Sequence, residues 1–147
     1  MEPSDKAVKS RQYYQQGVAF LGRGDVANAV DALTRAIQIT PDHVDARVAL
    51  SRAHQRKSRA QEGLDVLDSG LEREGLSKEQ RRSLQERAAD CATDAGDYSA
   101  AQKYLESALN ESSGEPSGLI NKLGALYCKG GEYKRGLDCF LAAQGKA

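Results

Sequence analysis

Along most of the chain a small residue, a bulky apolar residue four positions later and a second small residue three positions after that recur in the same order. The sets are Ala29, Leu33 and Ala36; Gly63, Leu67 and Gly70; Ala101, Leu105 and Ala108; and Gly136, Phe140 and Ala143. Residues spaced in this way fall on one side of an α-helix. Each set therefore predicts a helix face where a neighbouring helix comes close and one large side chain fills the gap. A short turn precedes every set: Gly24-Asp25-Val26, Ser58-Arg59-Ala60, Gly96-Asp97-Tyr98 and Gly131-Glu132-Tyr133, at intervals of 34, 38 and 35 residues. Upstream of each turn lies another helical stretch. The four stretches carry Tyr13, Gly17 and Phe20; Leu50, Ser51 and His54; Ala88, Ala89 and Ala92; and Leu123, Gly124 and Tyr127. The repeating unit is helix, turn, helix.

Capping residues support this parsing. Ser4 can cap a first helix that runs to Gly22, and Asp42 is expected to cap the third. Ser77-Lys78-Glu79-Gln80 reads as a capping box that starts the fifth helix a turn early, which accounts for the longest interval. Gly75 suits a left-handed helix stop. Residues 112–117 are expected to be a loop before the seventh helix.

These residues resemble the tetratricopeptide repeat, a helical hairpin with an aromatic, a Leu-Gly pair, a Tyr, then Ala, Phe, Ala and a closing Pro at fixed offsets. Residues 10–43 match through Tyr13, Gly17, Phe20, Ala29, Leu33, Ala36 and Pro41, with Gln16 in place of the Leu. Residues 117–147 match through Ile120, Leu123, Gly124, Tyr127, Gly136, Phe140 and Ala143. Residues 82–115 match less fully. Residues 44–77 are the weakest unit, with Arg47 at the aromatic position and glycines at both small positions of the second helix. Glycine in a helix costs about 1 kcal/mol against alanine, so this hairpin is expected to be the softest. The resemblance implies an all-α fold, a right-handed superhelix of helical hairpins making one domain over 1–147, with 1–9 extending the first helix.

Lys plus Arg and Asp plus Glu are equal at 21 each, so no basic field marks the chain for nucleic acid. No apolar stretch is long enough to span a membrane, and the start of the chain does not read as a signal peptide; a cytoplasmic location is expected. Cys91, Cys128 and Cys139 lack metal-ligand spacing and read as reduced core thiols. His54 sits at a packing position and His43 in a loop. No GxSxG, phosphate loop or metal-spaced cluster is present, so neither an enzyme nor a cofactor is expected.

The family geometry implies a concave groove lined by the first helix of each hairpin. Here that gives Arg11, Tyr14, Val18 and Leu21, then Asp45, Val48, Arg52, Gln55 and Arg56. Glu86, Asp90 and Asp94 follow, then Asn121 and Lys129, so the lining runs from apolar to basic, acidic and mixed. Such zoning suits a protein or peptide ligand with complementary charges. The plainer reading makes these charges the solvated side of amphipathic helices. The ladder Glu86, Asp90, Asp94 likewise reads as a weak cation site or as solvated carboxylates. The family's carboxylate clamp for chaperone tails matches poorly: its positions are Tyr14, Val18, Ala49, Ser83 and Arg87, of which only Arg87 has suitable chemistry. Leu137, Phe140 and Leu141 on the last helix read as an uncapped end, so a self-assembling scaffold is one alternative to a partner-binding scaffold. The length of the chain suggests another, since short proteins of the family include dedicated chaperones or assembly factors for a secretion or motility apparatus.

Overall fold

A computed structural model describes residues 4–111 and 117–145, and among them the secondary structure is entirely helical. The helices are α1 (Asp5–Gly22), α2 (Val26–Ile39), α3 (Val44–Arg56), α4 (Ala60–Leu71), α5 (Lys78–Asp94), α6 (Tyr98–Glu111), α7 (Ser117–Lys129) and α8 (Tyr133–Ala143). They form two compact units, Met1–Glu74 and Gly75–Ala147. Residues 112–116, expected from the sequence to be a loop, lie outside the described residues.

In the first unit, α1 pairs with α2 and α3 with α4, while α3 also packs on α2 and touches α1. Ser4 caps α1 as expected, its Oγ accepting the Ala7 N–H at 3.1 Å. Asp42 does not cap α3. His43 occupies that place and its Nδ1 accepts the Ala46 N–H at 3.1 Å. The Asp42 carboxylate instead receives the Arg73 guanidinium at 2.6 Å, a charge-assisted bond that outcompetes a backbone amide.

Leu33 on α2 is fully buried and packs with Ala49 and Leu50 of α3, with Tyr14, Leu21, Val30, Ile37 and Val66 around them. Its side chain lies over Gly17 of α1. A Cβ added at Gly17 would come within 2.5 Å of Leu33 Cγ and 2.6 Å of Cδ2. The two helices are as close as a leucine and a bare backbone permit. Buried Ser10 reinforces the hairpin by donating to the Ala36 carbonyl at 3.0 Å.

The turns distinguish the hairpins. Gly24, Gly96 and Gly131 have φ of 80°, 82° and 85°, a left-handed conformation that costs glycine nothing. In the second hairpin Ser58 takes that role at φ 60°, which costs an L-residue about 1 kcal/mol.

In the second unit, α5 pairs with α6, α7 with α8, and α6 packs on α7. The expected capping box starts α5: Gln80 N–H donates to Ser77 Oγ at 3.1 Å and Ser77 N–H to Gln80 Oε1 at 3.0 Å. The core is alanine-rich, with Ala88, Ala92, Ala101 and Ala108 fully buried around Leu84, Cys91 and Leu105. In the last hairpin the close approach is made by Gly124 and Gly136. A Cβ at Gly136 would lie 2.9 Å from the Gly124 carbonyl and collide with Cys128 Sγ.

The Gly17 contact yields a prediction opposite in sign to helix propensity. Gly17→Ala gains about 1 kcal/mol of propensity but overpacks Leu33 at a cost of 1–3 kcal/mol. Urea denaturation is expected to show it less stable than wild type by about 1 kcal/mol. Gly22→Ala, with nothing within 4 Å of the added methyl, is expected to be neutral or stabilising.

Candidate partner-binding faces

Each unit carries a face built from its first helices. On α1, Arg11, Tyr14, Val18 and Leu21 recur at helical spacing, and on α3 so do Asp45, Val48, Arg52 and Gln55. Arg11, Asp45, Arg52 and Arg56 are exposed, as is Val18 at 43%, a high value for a large apolar side chain. Tyr14, Leu21, Val48 and Gln55 are half-buried. Tyr14 is held from within the unit, its ring 4.8 Å from the His43 ring and its body against the Leu33 cluster.

The cations of this face differ in what they touch. Arg56 Nη1 donates to the Leu21 carbonyl at 2.8 Å and so closes the end of α1. Arg11 and Arg52 engage no carboxylate or other polar partner among the described residues.

On the second unit the carboxylates are neutralised in place. Glu86 meets Arg82 at 3.8 Å and Lys122 at 3.7 Å, and Asp90 meets Arg87 at 3.0 Å. Asp94, Asn121 and Lys129 are exposed. No cluster among the described residues could hold a metal ion, and the Glu86–Asp90–Asp94 ladder is in large part an ion-pair network. On α8, Leu137 is 56% exposed, whereas Phe140 and Leu141 are half-buried and the Phe140 ring lies against Gly124. Tyr133, one turn before Leu137, is 70% exposed and was not singled out from sequence.

The three cysteines are free. Cys91 is fully buried; burial, Asp138 and Cys128 push the Cys139 thiol up, which favours its protonated form. Arg47, at the expected aromatic position, is buried at 7% exposure. Its Nε donates to the Pro41 carbonyl at 3.0 Å and its Nη1 to the Val66 carbonyl at 2.8 Å, so it braces α3 against α4 where a ring would only fill space. Burial and the nearby Arg73 hold the Arg47 pKa down, against Asp42.

The Tetratricopeptide repeat family model matches residues 20–88. Over that stretch the chain carries tetratricopeptide repeats. MamA 41-end from Desulfovibrio magneticus RS-1 superposes with a TM-score of 0.75 at 14% identity, over 93% of this chain and 75% of that one. The N-terminal domain of stress-induced protein-1 from C. elegans gives 0.74 at 16% identity, over 84% and 98%. A tetratricopeptide repeat protein from Parabacteroides merdae gives 0.73 at 20%, over 95% and 55%. At such identities the likeness is one of fold. No curated sequence matches the chain. Tetratricopeptide repeats are in general interaction modules rather than catalysts, and no helix among the described residues is long and apolar enough to cross a membrane.

Both histidines of this repeat protein are held below the usual 6.5, chiefly by burial. Asp45 opposes the shift at His43; at His54 Glu62 opposes it and Arg59 and Lys57 add to it. The unfolded chain therefore binds protons below about pH 6.5 that the folded chain refuses, and stability is lost as pH falls through that value. Protonation of His43 Nδ1 also removes the acceptor for Ala46 N–H. The urea midpoint is expected to be lower at about pH 5.5 than at about pH 7.5, and His43→Asn, which keeps an N-cap acceptor at either pH, should flatten part of the drop.

Proposed function

We propose that this chain is a non-catalytic interaction protein that holds a protein or peptide partner on its first-helix faces, with α1 and α3 carrying the principal contacts. The observation that carries this is the pairing of exposed Val18 and half-buried Tyr14 and Val48 with Arg11 and Arg52, two cations that no group among the described residues neutralises. Elsewhere on the described surface most arginines meet carboxylates, among them Arg73 with Asp42, Arg81 with Glu111, Arg82 with Glu86 and Arg135 with Glu132, while Arg23 lies over the Phe20 ring. A segment with an apolar anchor and flanking acidic residues complements the α1–α3 face in both respects. Joint action of the four repeats as one cytoplasmic domain belongs to the same reading; a role as a dedicated assembly chaperone is a separate alternative to it.

Self-assembly is the second reading, favoured by Tyr133 and Leu137. They stand one turn apart on α8 and are both more than half exposed. Val30, which holds the place on α2 that Leu137 holds on α8, packs against the core cluster of the first unit. If copies associate there, light scattering will show mass rising with concentration, and Leu137→Glu will hold the chain monomeric.

For the first reading, a partner captured from extract and identified by mass spectrometry should be titrated against Arg52→Glu. Arg56 is left intact because it holds the Leu21 carbonyl. The expected effect is a loss of affinity of about tenfold or more with unchanged circular dichroism. An unchanged affinity would remove the α1–α3 face from consideration.

A further inference from the structure

The helical side of α3 that carries Arg47, Leu50 and His54 points away from the one that carries Val48 and Arg52. There, between α2, α3 and α4 and wholly inside the first unit, lies an open cleft of about 310 Å³. That volume is at the lower end of the range for small-molecule sites. Its apolar surface comes from Ile37, Leu50 and Val66, and its ionisable groups are Arg47, His54 and Asp65.

Two positions lining the cleft, those of Arg47 and His54, carry apolar or aromatic side chains in the first and fourth hairpins. The residues that match Arg47 and His54 in the first hairpin are Tyr13 and Phe20, and in the fourth Ile120 and Tyr127. An arginine extended toward backbone carbonyls and a small imidazole leave room that those side chains would occupy.

The polar groups are not equivalent. Two of the five guanidinium N–H donors of Arg47 go to backbone carbonyls, and no carboxylate among the described residues pairs with the cation. His54 Nδ1 is buried without a hydrogen bond, 3.4 Å from Glu62 Oε2. Asp65 is exposed and already accepts from Gln61 Nε2 at 3.1 Å. A buried cation with no carboxylate in direct contact among the described residues, beside an apolar strip, favours a ligand that brings its own negative charge on an apolar body.

We propose that this cleft binds a small monocarboxylate with a short aliphatic or aromatic body, its carboxylate taken by the spare N–H groups of Arg47 and its body laid along Ile37, Leu50 and Val66. The site is separate from the partner-binding face, so either assignment can fail without the other.

The test is an amide-resolved NMR titration of the full chain with hexanoate, hexylammonium and acetate. Hexanoate is expected to shift amides of residues 34–38, 47–54 and 65–69 saturably, while hexylammonium, with the wrong charge, and acetate, with no body, leave them in place. His54→Tyr restores the family's ring and fills the cleft while keeping Arg47; it should fold and bind hexanoate at least tenfold more weakly. Arg47→Gln, where it folds, should lose hexanoate as well. Equal shifts with hexylammonium, or undiminished binding by His54→Tyr, would overturn the proposal and leave Arg47 as a structural brace alone. N-acetyl-leucyl-glutamyl amide displacing hexanoate at lower concentration would overturn the small-molecule assignment in favour of a protein side chain.

Discussion

Two helices can share a hairpin only if their backbones come close, and closeness requires side chains to be nearly absent where they cross. At Gly17 the requirement is met by removing the side chain altogether, so that Leu33 occupies the space a Cβ would need. At Gly124 and Gly136 both helices are bare, and each would place an added methyl within about 3 Å of the other helix. In α5 and α6 the same task falls to fully buried alanines. Each junction combines a small residue with one bulky neighbour. Burying a leucine side chain stabilises by about 1.5–3 kcal/mol, so a few such contacts account for much of the stability of a hairpin that has little other core.

Because the crossing residues are small, the remaining sides of the first helices are left for other uses. On α3 this partition is clear. Ala46, Ala49, Leu50 and Ala53 are buried, Val48 and Arg52 line one accessible side, and Arg47 with His54 lines the cleft on the other. The second hairpin also departs furthest from the family pattern, with Ser58 in a left-handed turn and Arg47 in place of a ring. Departures of this kind concentrate where a structure has been adapted to something besides folding.

The hairpins were legible because their signal is periodic and repeated: a small residue, a bulky apolar residue and a second small residue in phase four times over leave little room for another fold. The first and fifth helix starts followed from Ser4 and from the Ser77–Gln80 pair, because capping chemistry is local. The third start did not. Asp42 and His43 are adjacent and both can accept an N–H; what decides between them is Arg73, 31 residues away, which draws the carboxylate off. The same limit applies to the faces. Sequence spacing groups Arg52 with Arg56, but in the fold Arg56 reaches the Leu21 carbonyl while Arg52 meets no partner among the described residues. It also lists Glu86 and Asp90 as an acidic ladder, although Lys122, Arg82 and Arg87 neutralise it. The cleft was hidden for a related reason. Arg47 looked like a defect of the repeat until its bonds to Pro41 and Val66 showed where its charge lies.

The small-residue crossings hold the fold and leave the exposed Arg11, Val18 and Arg52 of the α1–α3 face energetically idle. The most direct test of this is the urea unfolding free energy of a triple variant, Arg11→Ala, Val18→Ala and Arg52→Ala. The account predicts a value within about 1 kcal/mol of wild type, as expected for surface positions without partners. A loss of about 2–5 kcal/mol, the size expected for truncating a buried leucine such as Leu33, would contradict it and make that face part of the core.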